Sequence, residues 1–381
     1  MRILQVVALL TPGGEYGGPA TVALGQARAL AARGHRVTLV AGVRGRYRPA
    51  PVPGVDVQTF AVHTVGPGCS FTRIGSPTML RWLAGHAGDF DVAHVHLGRD
   101  LVTAPAARLL VGRIPTHVQT HGMVAPRTSP AHRVFDALLM RPVLRRAGTV
   151  YCLDERERTG IRAVGADRSA IGLLTNGVPT AAPRPPRTAG AAEVLFLARL
   201  HERKRPVTFV TAALQLAVDH AVRFTVVGPD EGQGAAIDRL LAAARADGVH
   251  RRGVVAREPA VAPDDVLDRL ARADVYVLPA VHEPLGVSVL EAMSVGLPVV
   301  VTDTCGIADR IAAAGAGAVV DDTVESLSAA IAAMLDDPDA ARRCGDRARA
   351  AVQEHWSADA VARQLADSYA GRAHAGERGR P

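Results

Sequence analysis

The sequence predicts an α/β chain made of two doubly wound domains, each a parallel sheet flanked by helices. Three observations carry that expectation. Apolar runs of strand length alternate with amphipathic stretches from the start, as in Ile3–Leu10, Ala20–Arg33 and Arg36–Val40. The alternation breaks at Ala181–Ala192 (AAPRPPRTAGAA), rich in proline and poor in apolar side chains, and restarts at Val194. The length of 381 residues, with 48% hydrophobic and 21% charged, suits a soluble globular chain of about two domains.

Ile3–Leu10 is long enough for a buried strand. The N-terminal MRILQVVALLTPGG has the apolar look of a secretion signal, but its run is short and contains Gln5. It also enters a glycine turn with no small-residue cleavage site, so a strand is the better reading. Thr11–Pro19 forms a glycine loop, Ala20–Arg33 a helix stopped by Gly34, and Arg36–Val40 a second strand. The loop is not GxGxxG, and no acidic residue ends the second strand to hold a ribose, which sets a nicotinamide dehydrogenase aside. Residues 42–80 are rich in Gly, Pro and Arg and read as loops.

Asp91–His96 is a strand with alternating histidines. Thr116–Thr120 is another, and it puts His121 at a carboxyl end, where open parallel sheets bind ligands. His132–Arg146 is a basic amphipathic helix bearing Arg133, Arg141, Arg145 and Arg146. It reads either as an outer helix of the domain or as a face lying on an anionic surface. A strand at Val150–Leu153, a helix at Glu155–Val164 and Ile171–Leu174 running into Asn176-Gly177-Val178-Pro179 close the first half. The second half repeats the design: strand Val194–Ala198, basic turn Arg199–Arg205, helix to about Val218, strand Arg223–Val227 and loop Gly228–Gly232. Strand Val275–Leu278 then leads into VHEPLGVSVLEAMSVGLPV, and helices at Ala329–Leu335, Ala340–Gln353 and His355–Tyr369 finish the chain.

Charge is uneven. Residues 1–178 hold 21 Arg against 10 acidic residues, net +11, and the remainder is −4, for +7 overall. A basic first half points to an anionic partner: a lipid headgroup, a membrane surface or a phosphorylated acceptor. Nucleic acid is disfavoured, since aromatics make up 4% and no basic run is interleaved with stacking side chains. Cys69, Cys152, Cys305 and Cys344 have neither metal nor disulfide spacing and read as reduced cytosolic thiols. No apolar run reaches membrane-spanning length.

The stretch 281–299 carries the chemistry. Glu283 sits in a loop and Glu291 inside a helix that starts near Gly286 and ends at Gly296–Pro298. A loop feeding a helix N-terminus presents free amides and a positive dipole end, which suits a phosphate. A carboxylate two turns into the helix can accept from a pair of sugar hydroxyls.

Glu283-Pro284-x-Gly286, then Glu291-Ala292-Met293, Gly296 and Pro298, fit the frame EPxGxxxxEAMxxGxP. This resembles the retaining GT-B glycosyltransferases of the "glycosyl transferases group 1" family. Arg199-Leu200-x-x-x-Lys204 after a strand matches the family's RLxxxK, and Gly17-Gly18, His121 and Asn176-Gly177-Val178 match weaker phrases. The resemblance implies two Rossmann-like domains facing a cleft, with the last helix crossing back onto the first. The corresponding boundaries are 1–178 plus 357–370 for the acceptor-side domain, 179–192 for a linker, 193–356 for the donor domain and 371–381 for a disordered tail.

It further implies a nucleotide-diphosphate sugar as co-substrate, with Arg199 and Lys204 on the diphosphate together with Gly17, Gly18 and the amides of Gly286, Val287 and Ser288. Glu291 would hold the ribose, Glu283 the donor sugar, Val255 the nucleobase, and His121 would act beside the transferred sugar. The implied reaction moves a hexose-type sugar to a hydroxyl of a glycan, glycolipid or small molecule by front-face displacement. Neither cofactor nor metal is expected, and the place of action is the cytoplasm or the inner face of the membrane. Two rivals share the fold. One is a sugar-nucleotide epimerase or hydrolase, which needs acid–base residues in the first domain, where His94, His96 and Asp100 are the candidates. The other is an inactive donor-binding partner subunit.

Overall fold

The computed structural model describes residues 1–11, 18–45, 47–64, 71–166, 170–184, 190–283 and 285–371. The chain forms two compact units: Met1–Gly177 with the C-terminal stretch from Ala358, and Val178–Ser357.

The first unit is built on strands β1 (Arg2–Leu10), β2 (Arg36–Val43), β3 (Val55–Ala61), β4 (Val92–His96), β5 (Thr116–Gln119), β6 (Thr149–Cys152) and β7 (Ala170–Leu173). They lie in the order β3-β2-β1-β4-β5-β6-β7, and every pair is parallel. The strand order reverses between β1 and β4, the place where doubly wound sheets open a crevice. β1 reads as a continuous apolar run because helices cover both its faces: Ile3, Leu4 and Val6 are fully buried. The helices are α1 (Gly18–Ala32), α2 (Pro77–His86), α3 (Thr103–Leu110), α4, α5 (Glu155–Val164) and the terminal helix described below. α4 runs over Pro130–Phe135, opens into a π turn at Asp136–Met140 and continues as Arg141–Arg146.

Residues 42–80, expected as loops, contain β3 and α2. β3 pairs in register with β2 from Val37↔Val55 to Val43↔Ala61. It is an edge strand, half-exposed along most of its length, so its polar Asp56, Gln58 and Thr59 are tolerated and no continuous apolar run marks it. α2 is started by Ser76, whose hydroxyl accepts from the Met79 amide.

The second unit contains β8 (Glu193–Leu197), α6 (Pro206–Leu216), β9 (Arg223–Val227), α7 (Gly234–Ala246), β10 (Val254–Glu258), α8 (Val266–Ala271), β11 (Val275–Leu278), α9 (Val287–Ser294), β12 (Val299–Thr302), α10 (Ala308–Ala314), β13 (Gly317–Val320), α11 (Val324–Asp336) and α12 (Pro338–Ala351). Its parallel sheet has the order β10-β9-β8-β11-β12-β13, the same plan as the first unit. Phe196, Phe209, Phe224 and Tyr276 fill its centre and are fully buried. The start of the stretch expected as a linker is tied to this unit. The Arg184 amide donates to the Val295 carbonyl at 2.9 Å, and its guanidinium bonds Asp274 at 3.0 Å. Residues 185–189 and the expected tail from 372 lie outside the described residues.

The terminal helix α13 (Ala358–Tyr369) belongs to the first unit, as expected of a helix that crosses back. Val361, Ala362 and Leu365 pack against Ile3, Ala27 and Leu30. Burying Val361 and Leu365 is worth about 3–6 kcal/mol together. Polar bonds fix the register: Arg33 to Asp359 at 2.7 Å, His94 Nδ1 to Tyr369 Oη at 2.6 Å, and Tyr151 Oη to Ser368 Oγ at 2.6 Å.

Candidate functional site

In the second unit, two loops at the carboxyl ends of β8 and β11 are laced together. The Val281 amide donates to the Arg203 carbonyl at 2.9 Å, and the Arg203 guanidinium donates to the His282 carbonyl at 2.9 Å. Between them Lys204 Nζ donates to Glu283 Oε2 at 2.5 Å, with the two side chains only 16% and 14% exposed. Glu283 Oε1 accepts from the Gly286 amide at 3.0 Å, and its carbonyl accepts from Gly306 at 2.7 Å. The motif glutamate is therefore held by a cation, a helix-start amide and a neighbouring loop.

The arginines around Lys204 sort themselves by their acids. Arg199 Nη1 lies 2.9 and 3.0 Å from the two Glu231 oxygens on an open surface, its side chain 63% exposed. Arg205 donates to the Asp322 carbonyl at 2.7 Å. Lys204 is the cation that faces Glu283.

Gly286 opens α9 with φ +68, and a Cβ there would stand 3.0 Å from Val289 Cγ2. Its amide, expected to be free for a phosphate, is taken by Glu283. The amides of Val287 and Ser288 have no acceptor among the described residues and keep the helix start open to an anion. Tyr276 Oη lies 2.9 Å from the Leu197 carbonyl and 2.7 Å from Ser288 Oγ, joining the end of β8 to the first turn of α9. Glu291, farther along α9, is half-buried and makes no side-chain hydrogen bond or ion pair among the described residues. Burial pushes its carboxyl up to about 7.

At the neighbouring strand ends, Gly228 has φ +154 and lies against the Ala198 carbonyl, where a Cβ would come within 1.8 Å. Only glycine lets the two loops approach this closely. A groove here is lined by Gly228–Asp230, Asp238 and Arg257–Ala260. Val255, expected beside a nucleobase, sits in mid-strand opposite Phe224, because β10 runs on to Glu258. From this strand and the turn after it, Arg257–Ala260 line the groove and Val255 does not.

In the first unit, His121 follows β5 in a left-handed conformation with φ +51, and Gly122 continues the turn with φ +76. His121 Nε2 lies 2.8 Å from His96 Nδ1. Burial lowers the His121 imidazole to about 3. Glu157 holds this turn: Oε1 accepts from Thr120 Oγ1 and from the Gly122 amide, each at 2.5 Å, and Oε2 accepts from the Leu153 amide at 2.8 Å. Burial raises its carboxyl pKa. Nothing in the sequence reading singled out Glu157. Its signal was Asp154-x-x-Glu157 at the start of α5, a helix-capping spacing in which Asp154 accepts from the Glu157 amide at 2.7 Å. Gly17 lies outside the described residues, and Gly18 begins α1 on the surface.

The rival acid–base candidates are engaged in structure. His94 and His96 are buried, and burial lowers both well below the ordinary histidine range. Asp100 accepts from the Val102 and Thr103 amides at 2.8 and 2.6 Å and from the Thr103 hydroxyl at 2.6 Å, capping α3. Among the described residues no group of three or more His, Cys, Asp or Glu is placed to hold a metal ion.

Comparison with known proteins gives two adjoining family matches, "Glycosyl transferase 4-like domain" over residues 17–177 and "Glycosyl transferases group 1" over residues 182–351. The chain is 30% identical over 316 residues to a D-inositol 3-phosphate glycosyltransferase of Kineococcus radiotolerans, covering 74% of this chain and 68% of that one. It is 30% identical over 291 residues to a GDP-mannose-dependent alpha-(1-6)-phosphatidylinositol monomannoside mannosyltransferase of Mycobacterium tuberculosis, covering 69% and 71%. A crystal structure of Anabaena HepE with UDP and glucose superposes with a TM-score of 0.66 at 18% identity, over 97% of this chain and 100% of that one, a likeness of fold. With two Rossmann-like units and the Glu283–Glu291 frame in place, the chain belongs to the group 1 glycosyltransferases and has the GT-B fold.

Proposed function

We propose that this chain moves a hexose from a nucleotide-diphosphate sugar to an acceptor hydroxyl with retention of anomeric configuration. The observation that carries this reading is the Lys204–Glu283 pair at the start of α9, with an unpartnered Glu291 on the same helix. On donor binding the diphosphate takes Lys204 as counter-ion and lies against the open amides of Val287 and Ser288. Arg199, on its exposed stem, adds a fork-shaped donor. Glu283 accepts from hydroxyls of the sugar, and Glu291 accepts from the two ribose hydroxyls.

As the bond from the anomeric carbon to the phosphate oxygen breaks, charge accumulates on the leaving diphosphate. Lys204, Arg199 and the helix-start amides stabilise it most at that point. The acceptor oxygen bonds to the same face of the anomeric carbon, and its proton passes to the departing phosphate oxygen. His121, neutral above about pH 3, orients the sugar instead of exchanging protons with it. With these cations and amides on the diphosphate, the reading needs no metal ion and no resident cofactor. The epimerase or hydrolase reading loses support because His94, His96 and Asp100 are committed to buried contacts.

For the acceptor, the basic first half favours an anionic molecule, net +11 over residues 1–178. Both relatives described above name phosphate-bearing inositol compounds. We place the protein at the cytoplasmic face of a membrane when its acceptor is lipid-linked.

The test is nucleoside diphosphate release from UDP-, GDP-, ADP- and dTDP-sugars by the wild type and Glu283→Ala. Slow release from one donor, abolished in the variant, supports transfer and identifies base and sugar. Neither release nor binding of any donor overturns it in favour of an inactive partner subunit.

A further inference from the structure

We propose that α4 is a membrane-docking helix whose outward face seats on a bilayer carrying anionic headgroups. This deepens the acceptor half of the reading above. Val134 and Leu138 are 58% and 66% exposed, and no other helix among the described residues leaves two large apolar side chains so open. Leaving them in water carries a cost that a partner would relieve. The helix sorts its surface into rows at a spacing of four residues. Val134, Leu138 and Arg146 fall in one row, and Arg133, Arg141 and Arg145 fall in the next.

In a regular α-helix such rows wind around the axis, because a turn takes about 3.6 residues. Here the π turn Asp136–Met140 interrupts the helix, and the Arg141 amide reaches back five residues to the Asp136 carbonyl. The wider turn offsets that winding and keeps each row on one side of the cylinder.

Charge complementarity decides the occupant. Asp136 is the only acidic residue between 125 and 148, and it points inward. Arg99 grips it with two bonds of 2.8 and 3.0 Å, both side chains under a tenth exposed. The outward face is therefore cationic and apolar, with no acid on it. Arg133 and Arg146 make no ion pair among the described residues, and Arg141 spends only its Nε, on the Val164 carbonyl at 3.1 Å. A headgroup layer offers anions to arginines while apolar side chains sink to the acyl boundary. A merely solvated basic face would have no use for the apolar row. Among the described residues no helix is long and apolar enough to cross a membrane, so the contact is peripheral. α4 begins nine residues after His121, in the same unit.

The experiment is co-flotation of the full-length protein with vesicles of phosphatidylcholine alone or with phosphatidylglycerol added. The expected result is binding to the anionic vesicles only, lost at several hundred millimolar salt because charges are screened within about 10 Å at 0.1 M. Each of Arg133→Ala and Arg146→Ala lowers the partition coefficient about fivefold. Leu138→Asp lowers it by at least about tenfold. Arg239→Ala, on the exposed side of α7, leaves it unchanged. All four sites are on the surface, so thermal unfolding reports intact folds. Equal binding to both vesicles, binding to neither, or unaltered binding of Leu138→Asp overturns the proposal. A self-associated wild type made monomeric by Leu138→Asp, with no vesicle binding, assigns the face to a second copy instead. Vesicle binding and donor turnover are read separately, so failure of one leaves the other standing.

Discussion

Replacing Glu291 by glutamine should make the free protein more stable at neutral and alkaline pH while destroying its hold on the donor. Glu291 has no partner among the described residues, and burial raises its carboxyl from 4.5 to about 7. A raised carboxyl means the folded state holds a proton that the unfolded chain has released. Stability is then complete below pH 4.5 and falls as pH rises towards 7, with the loss complete above it. A shift of two to three pH units corresponds to about 3 kcal/mol. For a unit of this size that is about 6–12 °C in melting temperature. Glu291→Gln escapes the loss, so the gap between variant and wild type should widen from pH 4.5 to about 7 and then level off. The assay is thermal unfolding from pH 4.5 to 8, with and without nucleoside diphosphate. The ligand should stabilise the wild type and leave the variant unmoved, since ribose hydroxyls prefer an ionised acceptor. Donor affinity of the wild type should accordingly weaken below pH 7, by up to about tenfold per unit. A variant–wild-type gap that does not change with pH would refute the buried, unpaired carboxylate. Equal stabilisation of both proteins by ligand would refute its role on the ribose.

Lys204→Met strands the Glu283 carboxylate with only the Gly286 amide, costing about 3 kcal/mol in denaturant unfolding and at least about 100-fold in donor turnover. The double variant Lys204→Met, Glu283→Gln should recover stability without turnover, and recovery of both would remove the pair from the mechanism. Arg199→Ala should change stability by less than about 1 kcal/mol, because its pair with Glu231 is exposed, yet raise the KM for the donor. An unchanged KM would leave Arg199 a surface residue. Glu157→Gln turns an acceptor towards three donors into a partial donor, with an expected cost of about 1–3 kcal/mol. If Glu157 positions His121, turnover falls at temperatures where the variant remains fully folded, and retained turnover there would make it purely structural.

The loop and helix that carry Glu283 and Glu291 were readable in the sequence because their geometry is local. Glu283, Gly286 and Glu291 lie within one loop and one helix, and a glycine placed ahead of an amphipathic run already implies the left-handed start that Gly286 adopts. What was not readable depends on distant partners. Arg199, Lys204 and Arg205 look alike in a basic turn, and Glu231, Glu283 and Asp322 sort them only once the chain has folded. Glu157 reaches a turn 35 residues away. β3 hid because an edge strand tolerates polar residues, and nothing in Val254–Glu258 marks where that strand ends.

Lys204 is also the only lysine in a chain with 44 basic residues of its kind. Amine-directed side-chain chemistry therefore meets one target in this sequence, the Lys204 ammonium beside Glu283. Reductive methylation with carbon-13 keeps the positive charge and places a spectroscopic label against Glu283, with no cysteine introduced and no residue replaced. A diphosphate that draws the ammonium from carboxylate to phosphate would shift that one resonance, so donor occupancy can be followed on the native sequence.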